Sequence, residues 1–365
     1  MRSFGARVGA TLLLVLVSAV SAEAQNEPGS SRSDASAVEQ RFEGLSESID
    51  RGLAYLASKQ GRDGSFPCED AQYQAPTAVT ALSLLAFLSA GHCEGRGPYG
   101  EVVQKAIDYL LDQQRTGNDG SAGYISADGD TTSKMHGHGY ATLALAEAYG
   151  MSSRTSVRQE IQQALRLAVR RIEQSQGDEG AWWYEPRKFK DSHENSITIT
   201  LIQALRASKN CGIFVEPETI WKALEYVRRS QLEDGSFTYK LHDPRSSFAL
   251  TAAAVSTLNS VGEYDSKMID RAIDYMARTD PDANLRDGGL THFEFYSRLY
   301  AAQAYWQYRD QSQWNRWYPR TKALLFRRQH ANGSWTSLQY GSEYATAMSL
   351  IVLAVPYQYL PIFQR

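Results

Sequence analysis

The sequence predicts an all-α double ring, six helical hairpins closed as an α/α toroid. Three observations carry this reading. A helical amphipathic segment runs six times into a Gly-centred turn, a second and more apolar helical segment follows each turn, and five of the turns carry a Gln. Those residues are Gln60, Gln114, Gln176, Gln231 and Gln329, at spacings of 54, 62, 55 and 98 residues. The last gap spans two copies, because the fifth has Asp280 where Gln is expected. A period near fifty residues marks stacked helix pairs, none of which buries its apolar face alone.

The N-terminus reads as a processing signal. Arg2 and Arg7 precede the apolar run Ala10 to Val20, and Ala22-Glu23-Ala24 follows. The expectation is a signal peptide over residues 1–24, cleaved near Gln25. The apolar run is too short to span a membrane, and no later segment replaces it. The protein is therefore expected to be exported, periplasmic or secreted, with no transmembrane segment after cleavage. No Cys follows the run, which argues against a lipid-anchored start. Residues 25–45 read as a disordered leader, rich in Ser, Asn, Pro and Gly. No such linker interrupts the remainder of the chain, so residues 46–365 read as one toroid domain. A formal net charge of -3 with interspersed signs offers no basic patch for nucleic acid. The three cysteines, Cys68, Cys93 and Cys211, fall at opposite helix ends or two repeats apart, so no bridge is expected.

Within each repeat the first helix has charged positions, such as Arg166, Arg170 and Arg171, or Arg228 and Arg229, and so keeps one side in water. An Asp-Gly or Asn-Gly pair then stops it, supplying a left-handed residue at no steric cost. Gly64, Gly120, Gly235 and Gly333 are the expected turn glycines. The aromatic two residues beyond the Gly, as in Phe66, Trp182, Phe237 and Trp335, is placed to fold back between neighbouring outer helices. The preceding Gln is placed to bond turn backbone. The second helices are expected at Pro76–Gly91, His138–Gly150, Glu194–Lys209, Phe248–Val261, Phe293–Tyr308 and Glu343–Val355. They are apolar nearly all round, as in Ala141–Gly150 and Ala345–Val355, which marks them as the buried inner ring.

The run Gln, short gap, Asp-Gly-Ser, aromatic, seen in Gln231–Phe237 and Gln329–Trp335, resembles the repeat of squalene/hopene cyclases and protein prenyltransferase β subunits. The resemblance covers residues 48–355 and is specific for repeat and fold. It implies a terpenoid cyclase-like α6/α6 barrel whose central cavity takes an isoprenoid or similarly apolar small molecule. The C-terminal stretch from Trp314 to Arg365 also resembles exported bacterial members of this group that have no assigned activity.

Inner helices all run one way, so residues ahead of them should meet at one mouth. That gathers Cys68, Asp70, Asp128, Asp130, His136, His138, His193, Asn195, His242, Asp243, His292, Glu294 and Glu343, including five of the seven histidines. The six helix N-termini add positive dipole ends that favour anionic groups. His136, His138, His193 and His292, with Glu294, could supply a set suited to Zn²⁺. The alternative is that they are helix caps and satisfied polar groups. The zinc ligands of prenyltransferase β subunits do not carry over, because no Asp-x-Cys opens an inner helix and Cys68-Glu69-Asp70 has the reverse order. Class II cyclases of this resemblance protonate an alkene with an Asp-x-Asp-Asp motif. Here the nearest match, Asp128-Gly129-Asp130-Thr131-Thr132, lacks the last Asp, which leaves Asp128, Asp130 and Glu294 as candidate acids.

Aromatics load the fifth inner helix. Tyr140, Phe295, Tyr296 and Tyr344, near helix starts, are expected to line the cavity beside His136, His138, His193, Asn195 and His292. Two other readings stand beside this one. A polysaccharide-acting α/α toroid would pair carboxylates such as Glu294 and Glu343 in an open cleft. A non-catalytic interaction protein would fill the centre with side chains. The Cys-Gly-Glu-Gln run of complement thioester toroids is absent, His92-Cys93-Glu94-Gly95 being no substitute.

Overall fold

The structure is a computed structural model that describes residues 44–364 apart from 118–119, 264–265 and 284–292. The outer ring consists of α1 (Leu45–Lys59), α3 (Gly100–Asp112), α5 (Thr155–Ser175), α7 (Pro217–Arg229), α9 (Lys267–Thr279) and α11 (Gln311–Arg328). The inner ring consists of α2 (Pro76–Ser89), α4 (Met135–Met151), α6 (Asn195–Asn210), α8 (Phe248–Ser260), α10 (Glu294–Gln307) and α12 (Gly341–Ala354). Each inner helix packs on the next, and α12 returns against α2, so the ring is closed. Among the described residues there is no strand, only isolated bridges such as Gln231 with Phe237. No helix there is long and apolar enough to cross a membrane.

Local sequence explains the two rings. In α9 the buried positions are Ile269, Ala272, Ile273 and Met276, a single stripe at helical spacing, with charged residues elsewhere. In α12 every position from Ala345 to Ala354 is buried, so that helix has no polar face to give to water.

The turn motif is the fastener between repeats. Gln176 Nε2 donates to Gly180 O in its own turn and to Thr219 O on the next outer helix, both at 2.8 Å. Gln60, Gln114, Gln231 and Gln329 repeat this double bond, reaching Val102, Ala164, Met268 and Ser48. Glycine is required because a Cβ at Gly180 would run into the Lys222 carbonyl, and one at Gly333 into that of Arg51. The second repeat divides the role between two glycines. Gly120 does have positive φ, but Gly123 is the residue pressed against Leu167 O, because this turn is longer. Asp280 does a related job with charge, accepting from Arg320 on the next outer helix at 2.9 Å.

The aromatic after each turn is buried as expected: Phe66, Trp182, Phe237 and Trp335 expose at most 1 %. The backbone N–H of each donates to a Thr hydroxyl on the inner helix that follows, Thr80, Thr198, Thr251 or Thr346. All three cysteines are free.

The centre is not open throughout. Midway down, Gln203, Ser256 and Gln303 form a closed buried hydrogen-bond triangle. At the far end, short turns at Val355–Tyr357 and Pro361–Phe363 lie across α4, α6 and α10, and Gln307 Nε2 donates to Ile362 O. Among the described residues the ring is therefore a cup, with room where the inner helices begin.

Candidate functional site

That room is a cavity of about 210 Å³. One register position of the repeat supplies a residue from every inner helix: Ala78, His136, Ser196, Ala249, Tyr296 and Tyr344. Each lies two residues before the turn-bonding Thr or its counterpart, hence half a turn round the helix and facing inward. One turn deeper, Leu82, Tyr140 and Met348 make the floor. Loops ahead of the helices add Tyr184, Tyr239, Phe293 and Tyr340 around the rim.

The walls differ in chemistry. Those of α2 and α8 are aliphatic, with Ala78, Leu82, Ala249 and Leu250, and α12 adds Met348 beside Tyr344. Across from them, between α4 and α6, lies a polar patch. Ser196 Oγ donates to Glu194 Oε1 at 2.5 Å and sits 3.3 Å from His136 Nε2. On its other side His136 Nδ1 lies 3.5 Å from Thr200 Oγ1, which is 3.3 Å from the Tyr300 hydroxyl. That hydroxyl is 3.4 Å from the one on Tyr140. A continuous polar seam thus runs from rim to floor along one wall. Burial lowers the His136 pKa, opposed by Glu194. Burial, then the Tyr300 and Tyr296 hydroxyls, hold Tyr140 well above the ordinary phenol value. The Tyr296 hydroxyl is buried without a hydrogen-bond partner among the described residues.

Four of the expected site residues lie in this cavity: His136, Tyr140, Tyr296 and Tyr344. Others do not, for reasons the geometry gives. His138 is fully buried behind the wall, its Nδ1 accepting the Ile125 N–H at 3.1 Å. It occupies the place that Thr80, Thr198, Thr251 and Thr346 hold elsewhere, and burial pushes its pKa down to about 3. His193 bonds the Tyr226 hydroxyl at 2.6 Å. Asn195 turns to Ser230 Oγ and Thr238 O, tying α6 to the fourth turn. Phe295 packs edge-on against Tyr344 at 6.2 Å and lies behind the wall rather than in it, while Phe293 takes a place in the lining. His292 lies outside the described residues.

The candidate acids are likewise placed elsewhere. Asp128 is exposed, and Asp130 accepts from the N–H groups of Ser133 and Lys134 at the start of α4. Glu294 is buried between Arg298 (3.0 Å) and Arg328 (2.6 Å). Glu343 is buried outside the cavity, beside Cys68, whose thiol pKa is raised by burial and then by that carboxylate. The described histidines do not converge, and no three His, Cys, Asp or Glu side chains among the described residues gather as a metal set.

Glu194 is therefore the one carboxylate lining the cavity among the described residues. Two-carboxylate glycoside hydrolysis needs a second one across the substrate, at about 5–10 Å. Sequence reasoning missed Glu194 and Ser196 as site residues, along with Tyr184, Tyr239 and Tyr340. Two of these tyrosines had a signal: Tyr184 and Tyr239 each stand two places after a core aromatic, Trp182 and Phe237.

No protein-family model and no curated protein matches the chain. Among solved structures it is similar to the type II terpene cyclase MstE from Scytonema, with TM-score 0.56 and 16% identity, covering 87% of this chain and 99% of that one. It is also similar to the GH76 α-mannanase BT2949 of Bacteroides thetaiotaomicron, with TM-score 0.59 and 8% identity, covering 85% and 94%. An inactive variant of the α-1,6-mannanase GH76A of Salegentibacter sp. HEL1_6, in complex with α-1,6-mannotriose, gives TM-score 0.60 and 10% identity over 85% and 98%. The chain has the α6/α6 toroid fold shared by these terpene cyclase and mannanase structures.

Proposed function

We propose that this protein is an exported binder of a small, largely apolar molecule, held in the cup with its polar end against Glu194, Ser196 and His136. The observation that carries the reading is the two-sided cavity: aliphatic on α2 and α8, hydrogen-bonding on one seam, and closed below. A dry cavity of about 150 Å³ takes benzene, so 210 Å³ has room for about eight or nine heavy atoms. A longer isoprenoid chain would extend through the mouth. The likeness to MstE supports this class of ligand, since one variant of that enzyme was solved with geranylgeranyl dihydroxybenzoate as substrate. Export rests on Arg2, Arg7 and the apolar run with its Ala22-Glu23-Ala24 site.

The experiment is calorimetric titration of the mature protein with geraniol, beside Ala249→Trp and Ala78→Phe, which fill the cavity. Binding by the wild type, lost in both variants while their melting curves stay cooperative, supports the reading. Equal binding by the variants, or none by the wild type, overturns it.

A further inference from the structure

The cavity is electrically one-sided. Glu194 is its carboxylate, and no Lys or Arg lines it among the described residues. The same cavity is lined by Tyr140, Tyr184, Tyr239, Tyr296, Tyr340 and Tyr344, of which Tyr184, Tyr239 and Tyr296 interact with that carboxylate, each tyrosine offering an electron-rich ring face or a hydroxyl oxygen. Tyr296 brings its unpartnered hydroxyl to this group. Glu194 itself is buried, and a buried carboxylate without a counter-charge is costly. The Ser196 hydroxyl at 2.5 Å and the Tyr184 phenol give it hydrogen bonds but no charge.

One term opposes a cation. Inner-helix N-termini converge here, each worth about half a positive charge. Three of these six ends have a carboxylate beside them, although Glu294 is itself paired with Arg298 and Arg328. Asp130 takes the N–H groups opening α4, Asp70 takes the Ser342 N–H opening α12 at 3.0 Å, and Glu294 sits in the first turn of α10. Glu194 holds the N-cap position of α6, and its whole charge outweighs the half charge of that helix end.

We propose that the cavity is a site for an organic ammonium ion, its cationic head against Glu194 and the tyrosines and its apolar substituents against Ala78, Leu82 and Met348. This rests on the reading of the cavity as a ligand site and names the charge of the ligand. Aromatic rings and a carboxylate together recognise such ions, because the head is both charged and weakly hydrated. A choline-sized cation fits the 210 Å³.

The test compares choline with 3,3-dimethylbutan-1-ol, which has nearly the same shape and no charge, by titration calorimetry. Geraniol serves as the neutral probe of the cavity itself. The expected result is choline binding at least about tenfold tighter than its isostere in the wild type, with that preference falling to about twofold or less in Glu194→Gln. Choline should also displace geraniol. Equal affinity of the two isosteres in the wild type overturns the ammonium site, and geraniol binding in the same experiment leaves the cavity reading standing. Failure of all three probes to bind overturns both. The wild-type comparison decides the matter even if Glu194→Gln fails to fold.

Discussion

The side-chain amide of Gln329 donates to the carbonyl of Ser48, 281 positions earlier in the chain, at 2.9 Å. The same nitrogen bonds Gly333 O in its own turn, and its oxygen accepts from Ser48 Oγ and Arg51. The last repeat thereby grips the first with the device that joins all the others. Gln329→Ala removes both of these bonds and the acceptor for Ser48 and Arg51, and should destabilise by about 1–3 kcal/mol in urea unfolding. A loss below about 0.5 kcal/mol would mean that closure does not depend on this contact.

Trp335 fills the space beside that turn, exposing 1 %, and its indole N–H donates to Leu325 O at 2.9 Å. Trp335→Ala should cost about 3–5 kcal/mol through the cavity it leaves. Gly180→Ala should also destabilise, since its φ of 87° is unfavourable for Ala and its Cβ would strike the Lys222 carbonyl. A near-wild-type midpoint for either would contradict the interleaving of turns with outer helices.

His138 supplies a test of the repeat logic. His138→Ala orphans the buried Ile125 N–H and should cost about 1–3 kcal/mol. His138→Thr restores the hydroxyl used in four other repeats and should cost less. Neither should alter geraniol binding by much, whereas His136→Ala should weaken it with little loss of stability. Reversal of this pattern would move the site from one histidine to the other.

Two buried groups set the pH range of stability. His138, lowered by burial from 6.5 to about 3, stays neutral in the fold, so stability drops as pH falls below about 6.5, where the unfolded chain gains a proton first. Glu147 is raised by burial from 4.5 to about 8, against a bond from the Ile362 N–H, so it stays protonated in the fold. Its contribution is lost as pH rises from about 4.5 through 8, where the unfolded chain loses its proton first. Glu147→Gln should therefore flatten the alkaline limb of melting temperature against pH, and His138→Thr the acid limb. An unchanged alkaline limb in Glu147→Gln would show that the C-terminal segment over that carboxyl does not depend on its proton.

The double ring was legible because it is periodic. Gln, Gly and an aromatic at fixed spacing, with a uniformly apolar second helix, each have one local cause and recur six times or nearly so. The site was legible only in part because chemistry at the mouth does not recur. Reading residue type alone groups His136 with His138, yet they lie two apart on one helix and face opposite ways, one to the cavity and one to Ile125. The same repeat register that fixes Thr80 and Thr346 as turn bonds places Ala78 and Tyr344 in the wall, which aligning the six inner helices could have shown. Nothing in the sequence announces that the closing turns after Val355 cross the far end, since their grip is through backbone, as at Ile362.

Whether the ring holds a ligand in its cup or is a filled core is tested most directly by a crystal structure of the mature protein soaked with geraniol. Ordered ligand density is expected between Tyr140, Tyr296 and Ala249, with its hydroxyl on the Glu194, Ser196 and His136 seam. Tyrosine side chains collapsed across that volume, or ligand bound only outside the ring, would contradict it.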